Sequence, residues 1–293
     1  MFVISAEKFS SWKKKQISKG GDNNSLNLLI DSLAGLSNKE LNLIKIKSEK
    51  NLNLKLSLDL LETFWDKHLN TSIPIQYLSG ISFWRDLKLE VTNRVLIPRP
   101  ETELIIEIIS GIFNNKKEKI TFVDLGTGSG AISIALALAN PNWNGIATDI
   151  DKNAIEIASR NFANNSNQSN LRFYSGNWWD PLANYKGEID LAVANPPYIP
   201  QDIYEVLPIE VKNFEPKNAL LGGKEGLDHI NEIVQNAPIY LKHKGWLLIE
   251  NHFDQGEKVK QLFLENRFTS VKVLKDLSGI GRFTIGRYKE IIS

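Results

Sequence analysis

Ile120-Thr121-Phe122-Val123-Asp124-Leu125-Gly126-Thr127-Gly128-Ser129-Gly130 is the stretch that decides the fold. Its first six residues read as a buried strand, and the apolar run 131–139 that follows reads as a helix. Three glycines at alternate positions join the two. Glycine adopts backbone dihedrals that other residues avoid, and it lets the main chain come close to a ligand. The helix N-terminus adds N–H donors and a partial positive charge. The spacing here is GxGxG. Dinucleotide sites favour GxGxxG, and a P-loop needs a closing GK[ST] that this loop lacks.

Downstream, strand and helix patterns alternate. Residues 145–149, 171–174, 189–194, 246–250, 271–274 and 283–287 read as strands; residues 153–163, 230–241 and 257–265 read as helices. Strands separated by helical crossovers imply an α/β fold, with a doubly wound, mostly parallel, seven-stranded sheet.

Upstream, Leu26, Leu29, Ile30, Leu33 and Leu36 recur at three- and four-residue steps, and Leu41, Ile44, Leu58, Leu61 and Trp65 continue the pattern. Ser37 with Glu40, and Ser57, supply cap-like starts. The pattern predicts a small helical bundle without strands. Residues 75–98 read as extended, with a hairpin built from 83–84 and 87–91. The chain thus divides into an N-terminal helical domain (1–72), a linker with a β-hairpin (73–98) and a larger α/β domain (99–293). Lys8, Lys13, Lys14, Lys15 and Lys19 crowd the first helix. They form either a solvated face or a docking surface for an acidic partner.

Composition narrows the function. The formal charge is +1, from 35 Lys+Arg against 34 Asp+Glu, so the strong basic bias of a sequence-blind nucleic-acid binder is missing. There is no cysteine. That excludes disulfides, thiolate metal sites and the cysteine attack that methylation of a pyrimidine ring carbon usually needs. The four histidines show no metal-site spacing, so no metal is expected. The longest apolar run, 131–139, is far below the roughly 18 residues of a bilayer span, and no secretory segment opens the chain. A cytoplasmic location without membrane association follows as the expectation.

Two candidate sites lie at strand ends. Asp149 ends the second strand, close to the roughly 20-residue interval at which an acid meets ribose hydroxyls in nucleotide folds. Asp151 is its nearby competitor. The fourth strand ends in Asn195-Pro196-Pro197-Tyr198. The Asn195 side-chain carbonyl and the Pro196 backbone carbonyl suit the two N–H groups of a planar amide or amine. Prolines fix φ and bring no N–H of their own. Tyr198 offers a face for stacking. Such a site works by positioning and preorganised electrostatics and needs no strong base.

On these residues the chain resembles the release factor glutamine methyltransferases. The likeness runs through Gln76-Tyr77-Leu78-Ser79-Gly80, Val95 to Glu103, Asp124 to Gly130, Asn195 to Tyr198, Glu215-Pro216, Gly226-Leu227-Asp228 and Arg282 to Arg287. The resemblance implies a class I S-adenosyl-L-methionine-dependent methyltransferase. Its substrate would be the N5 nitrogen of the glutamine in the Gly-Gly-Gln motif of class-I peptide chain release factors, which modulates translation termination. It implies that Gly126, Thr127, Gly128, Ser129, Gly130, Asp149 and Asn195 hold the cofactor, whose lack of phosphates suits the loop. Trp178 would lie against the adenine, with Trp179 as the competing register. Asn195, Pro196, Pro197 and Tyr198 would grip the glutamine, with Asn195, Pro196 and Tyr198 carrying the catalysis. Arg99, Pro100 and Thr102 would line the methionine end, and the helical domain would dock the release factor. The family often reads Leu-Glu-Ile-Gly or Leu-Glu-His-Gly where this chain has Ile249-Glu250-Asn251-His252, so a different local turn is expected there.

A nucleic-acid adenine or guanine exocyclic N-methyltransferase is the alternative, since that amino group is also planar; the near-zero charge argues against nucleic acid as primary substrate. A non-catalytic cofactor-binding scaffold is a further alternative, against which the intact tetrapeptide speaks. Glu250 reads as a supporting acid, Asp228 as a helix cap, and Trp12, Trp65, Trp84 and Trp143 as core anchors.

Overall fold

A computed structural model describes residues 1–44, 51–113 and 119–289. They fall into two compact units, one of Met1–Ser82 with Ile209–Phe214, the other of Phe83–Pro208 with Glu215–Ser293.

The first unit opens with β1 (Phe2–Ser5) and α1 (Ala6–Ser18), continues with α2 (Asn23–Leu29) and its π-turn extension Ile30–Ala34, then α3 (Asn38–Ile44), β2 (Asn51–Leu54), α4 (Leu58–Thr71) and α5 (Ile75–Ser79). The caps form as the sequence indicates. Ser37 and Glu40 close a reciprocal box, Glu40 N–H to Ser37 Oγ at 3.3 Å and Ser37 N–H to Glu40 Oε2 at 2.9 Å. Ser57 Oγ accepts from Leu60 N–H at the head of α4. Phe9, Trp12, Leu26, Leu29, Ile30, Leu61 and Trp65 make the core, and Trp65 Nε1 donates to the buried Gln16 carbonyl at 3.1 Å. The side chain of Ile44 lies outside the described residues. Lys15 and Lys19 pair with Glu62 and Asp66, and Lys13 hydrogen-bonds Asn27, so part of the lysine row is engaged within its own unit.

Two expectations fail here. The unit is not purely helical, because β1 and β2 pair antiparallel, Phe2 opposite Leu54 and Ser5 opposite Asn51. Asn51-Leu52-Asn53-Leu54 does alternate with period two, but over too few residues to stand out, and its partner is the remote chain start. Residues 75–79 are also not extended. Pro74 precedes the short helix α5, where a missing N–H costs nothing.

A two-stranded sheet forms from β3 (Ile81–Trp84) and β4 (Leu87–Glu90), and the second unit begins within β3, at Phe83. A 3-10 turn (Pro100–Glu103) leads into α6 (Leu104–Ile112). Then come β5 (Thr121–Leu125), α7 (Ala131–Ala139), β6 (Asn144–Asp149), α8 (Lys152–Asn165), β7 (Leu171–Ser175) and β8 (Ile189–Ala194). After α9 (Gln201–Glu205) and α10 (Ile209–Lys212, counted with the first unit) follow α11 (Asp228–Tyr240), β9 (Leu241–Glu250), α12 (Gly256–Glu265), β10 (Phe268–Lys275) and β11 (Gly281–Tyr288). The seven-stranded sheet has the order β10-β11-β9-β8-β5-β6-β7. Strands β9, β8, β5, β6 and β7 are mutually parallel, and β11 runs against both its neighbours. Among the described residues no helix is long and apolar enough to cross a membrane.

Period-two alternation sends side chains to both faces, and both are covered, as parallel sheets require. Phe122, Leu191, Val193 and Leu248 enter one core with α6 and α7; Val123, Leu125, Ala192, Ala194, Leu247 and Ile249 enter the other with α11 and α12. Trp84 and Trp143 are buried in the first of these cores, as anchors. Each fully buried Phe or Leu contributes roughly 1.5–3 kcal/mol.

From β5 the chain winds to β6 and β7, then crosses back to β8 on the other side of β5. That crossing is the topological switch point, and a crevice opens beyond the C-terminal ends of β5 and β8. The register aligns the ends: Leu125 pairs with Thr148 and with Ala194, and Ala194 pairs with Ile249. The next residue on each strand is therefore Gly126, Asp149, Asn195 and Glu250.

Candidate active site

The loop after β5 is held by its neighbour strand. The N–H groups of Gly126 and Thr127 both donate to the Thr148 carbonyl at 2.9 Å, and Gly130 N–H closes onto Thr127 at 2.8 Å. Gly126 takes φ +74°, and a Cβ there would stand 2.9 Å from the Trp178 ring. Gly130, at φ +86°, leaves no room either, with Ile134 and Ala158 packed against it. Behind the loop, Asp124 is buried; its Oδ2 accepts from Thr127 Oγ1 at 2.6 Å and Ser133 N–H at 3.1 Å. Burial raises its pKa to about 6, against the pull of those two donors.

Asp149 bridges the loop and the next helix. Gly128 N–H donates to Oδ2 and Asp151 N–H to Oδ1, each at 2.9 Å. Burial raises its pKa, and these backbone donors hold it back. Asp151 caps α8 through Asn153 N–H and, like Asp149, lines the cavity described below.

The two tryptophans separate cleanly. Trp179 is core: it stacks on Tyr240 with centroids 4.9 Å apart and donates Nε1 to the Ile233 carbonyl. Trp178 takes a left-handed φ of 38°, its carbonyl accepts from Thr148 Oγ1 at 3.0 Å, and its buried Nε1 has no partner.

A cavity of about 250 Å³ gathers these parts. Its wall includes Gly126, Thr127, Gly128, Ser129, Asp149, Trp178, Asn195 and Pro197, together with Arg99 and Thr102. Gly130, Pro196, Tyr198 and Pro100 are not part of that wall. Arg94, Ile150, Asn177, Asn218 and His229 line it without having stood out in the sequence, and Leu96 joins them from the Val95 to Glu103 stretch. Of these, Asn218 carried a usable signal, since it lies just past the Glu215-Pro216 pair.

Asn195 donates Nδ2 to Thr102 Oγ1 at 3.2 Å. Tyr198 is half-buried, and its hydroxyl donates to Glu250 Oε1 at 3.1 Å. Glu250 is 1% exposed, and its Oε2 has no partner. Burial raises the Glu250 pKa to about 7, although the Thr102 and Tyr198 hydroxyls and the Arg282 charge pull the other way. Burial and the adjacent Glu250 also push the Tyr198 phenol up.

Two braces hold the surrounding loops. Arg99 pairs with the buried Glu215 at 2.6 Å, and Glu215 also accepts from Ile97 N–H. Gln255 donates Nε2 to the carbonyls of Tyr198, Glu225 and Gly226 at 3.0–3.2 Å. A Cβ on Gly222 would stand 2.6 Å from the Pro197 carbonyl, so this loop touches backbone to backbone. Asp228 is not the cap of α11; Leu227 holds that position and Asp228 is the first helical residue, where an acid suits the dipole. At the Ile249-Glu250-Asn251-His252 turn, His252 is not among the left-handed residues. The turn is instead pinned by Asn251 Nδ2 on the His252 carbonyl and by His252 N–H on Gln255 Oε1.

The donor set fits S-adenosyl-L-methionine. Asp149 offers a carboxylate for ribose hydroxyls, Arg94 and Arg99 offer cations for a carboxylate, and Trp178 offers a flat apolar wall with an unpartnered N–H. Gly128 has open space where a Cβ would project.

Comparison with known proteins agrees with this geometry. The Methyltransferase small domain family matches residues 102–206. A release factor glutamine methyltransferase of Prochlorococcus marinus is 39% identical over 281 residues, covering 96% of each chain. One of Thermosynechococcus vestitus is 38% identical, covering 89% of this chain and 90% of its own. Among solved structures, a methyltransferase from Pyrococcus furiosus superposes with a TM-score of 0.51 at 20% identity, over 71% of this chain and 91% of its own. The hMettl16 catalytic domain superposes with a TM-score of 0.57 at 14% identity, over 94% and 91%. At such identities the structures speak for the fold alone. The two curated relatives go further, and with them the chain belongs to the release factor glutamine methyltransferase family.

Proposed function

We propose that this chain transfers the methyl group of S-adenosyl-L-methionine to the side-chain amide nitrogen of the glutamine in the Gly-Gly-Gln motif of class-I peptide chain release factors, and so modulates translation termination. The observation that carries the reading is the presence of Asn195 in the wall of the same cavity as the glycine loop, Asp149 and Trp178.

Gly126 to Gly130, Asp149, Trp178 and Asn195 hold the cofactor, and Asn195 to Tyr198 hold the glutamine. When bound, S-adenosyl-L-methionine supplies an electrophilic methyl carbon on a sulfonium. The remaining work falls to the chain. An amide nitrogen is a weak nucleophile because its lone pair is delocalised into the carbonyl. Asn195 spends its Nδ2 on Thr102, which leaves its Oδ1 to accept one target N–H. The Pro196 carbonyl takes the other, aimed by two prolines of fixed φ. Two accepted hydrogen bonds return electron density to the nitrogen. Preorganised acceptors of this kind act without reorganising at the moment of reaction. Tyr198 closes the tetrapeptide against water.

Residues 1–72 serve as the docking domain for the release factor, 73–98 as the linker and 99–293 as the catalytic domain. The support is the separate core of the first unit and the exposure of Lys8 and Lys14 on its first helix, beside the engaged lysines. We place the enzyme in the cytoplasm, where release factors work.

The test offers labelled cofactor with release factor, with a release factor whose motif glutamine is replaced by alanine, and with DNA. Label confined to the intact release factor is expected. Label in DNA alone would overturn the reading in favour of a nucleobase N-methyltransferase.

A further inference from the structure

Asn161 stands fully buried on α8, outside every motif of the cofactor and target loops. Its side-chain amide uses each hydrogen-bonding atom it has. Oδ1 accepts from Glu90 N–H at 2.6 Å, while Nδ2 donates to the Glu90 carbonyl at 3.0 Å and to the Ser129 carbonyl at 2.9 Å. One amide thus joins three segments: α8, the end of β4 and the glycine loop. Asn165, one turn further on, does half of this. It holds Lys88 in the same paired way, accepting its N–H at 3.3 Å and donating to its carbonyl at 3.0 Å. Its remaining donation goes back to the Asn161 carbonyl of its own helix, at 2.8 Å.

Residues two apart on a strand turn N–H and C=O to the same edge, and residues four apart on a helix share a face. The two asparagines therefore act on β4 as a neighbouring strand would. Arg160 adds a fork to the Glu90 carboxylate at 2.7 and 3.0 Å. Both ends of the Asn161 link reach the cavity. Ser129 lines it, and β4 runs on through the buried Val91 to Arg94 and Leu96, which line it too.

We propose that Asn161 is a positioning residue for S-adenosyl-L-methionine: by tying Ser129 to Glu90 it fixes the glycine loop relative to the segment that carries Arg94 and Leu96, and so sets the shape of the cavity that both line. This rests on the reading that the cavity holds the cofactor.

A loop with glycine at every second position has a permissive backbone, so its place comes from what it is tied to. The N–H groups of Gly126, Thr127 and Gly128 tie its first half to β6, through the Thr148 carbonyl and Asp149. Its second half rests on α8. Gly130 packs on Ala158, where an added Cβ would stand 3.1 Å away, and Ser129 is held by Asn161 three residues further along that helix. Without the amide, the Ser129 end of the loop and the outgoing end of β4 lose their common partner, and the two parts of the wall move independently. Asn161 acts on the cofactor through Ser129 and Glu90; it is not itself part of the wall.

Asn161→Ala removes the link to both segments, whereas Asn165→Ala loosens β4 alone. Urea midpoints should fall in both. Calorimetry with S-adenosylhomocysteine should show Kd raised roughly 5- to 50-fold in Asn161→Ala, the scale of one lost buried hydrogen bond, and changed by less than about twofold in Asn165→Ala. The cofactor KM of Asn161→Ala should rise by a similar factor while kcat stays within about threefold of native. A native Kd in Asn161→Ala, an equal rise in Asn165→Ala, or a fall in kcat with unchanged cofactor KM would overturn the proposal. Should Asn161→Ala fail to fold, the native protein decides: on adding S-adenosylhomocysteine, amide hydrogen exchange at Glu90 should slow at least about threefold more than at Lys88. Equal slowing at the two amides would also overturn it. A native protein that binds no S-adenosylhomocysteine would remove the cofactor from the cavity, and the proposal with it.

Discussion

Gly126 and Trp178 occupy space that only the two of them together leave consistent: a Cβ on Gly126 would lie 2.9 Å from the indole, and Trp178 itself sits at φ 38°. The Trp178 main chain is held in turn, its carbonyl accepting from the Thr148 hydroxyl, so the backbone that carries the indole has little freedom to yield. Gly126→Ala should therefore cost about 1–3 kcal/mol of stability from the positive φ alone. It should also weaken cofactor binding by displacing Trp178. Urea denaturation and calorimetry with S-adenosylhomocysteine read the two effects separately. Loss of neither would show that the loop and indole move independently.

Trp178 and Trp179 are adjacent in sequence and opposite in kind. Trp179→Ala removes a stacked, hydrogen-bonded core ring and should cost about 3–5 kcal/mol, visible as a lower urea midpoint. Trp178→Ala should cost less in stability and more in cofactor affinity. If the two variants exchanged these phenotypes, the assignment of Trp178 to the cofactor would be wrong.

Asp149 accepts two backbone N–H groups and faces the cavity. Asp149→Ala should weaken S-adenosylhomocysteine binding roughly 10- to 100-fold, the loss of about 1.5–3 kcal/mol for a hydrogen bond to a charged group. Calorimetry checks this; an unchanged Kd would remove Asp149 from the cofactor site.

Asn195→Ala removes one of the two acceptors proposed for the target amide. Turnover should fall roughly 10²- to 10³-fold with cofactor affinity nearly intact. Single-turnover rates within twofold of the native enzyme would contradict the role.

Asp124 has a folded pKa of about 6 against an ordinary value of 3.8. The native state thus binds the proton more tightly than the unfolded state. Its contribution to stability is full below about pH 4 and is lost as pH rises through 6. Asp124→Asn keeps an oxygen for Thr127 and Ser133 and does not titrate. The native protein should lose on the order of 3 kcal/mol relative to that variant between pH 4 and pH 7. A parallel pH dependence of the two urea midpoints would refute the shift.

Much of this was legible from one dimension. The strand–glycine–helix unit, the alternation of strands with helices and the two strand-end motifs are local patterns, and local patterns survive in sequence. Ser37 with Glu40, and Ser57, mark their helices because a cap is a matter of three residues. The pairing of Phe2–Ser5 with Asn51–Leu54 left no such trace, since each strand is short and the match is between distant segments. Nor did sequence reveal how Thr102, Asn195, Tyr198 and Glu250 meet. Their chemistry depends on the register that sets Ala194 beside Ile249, and register is a property of the folded sheet. Trp178 and Trp179 could not be told apart until one of them entered the wall and the other the core.

The pairing of Phe2–Ser5 with Asn51–Leu54 bears on how the protein is born. Phe2–Ser5 is synthesised before Asn51–Leu54, the segment that supplies its backbone partners. During that interval its amides and the side chains of Phe2 and Val3, exposed even in the finished fold, are open to whatever meets a nascent chain. Synthesis pauses placed before Asn51 should prolong that interval, whereas pauses placed after Leu54 should leave it unchanged.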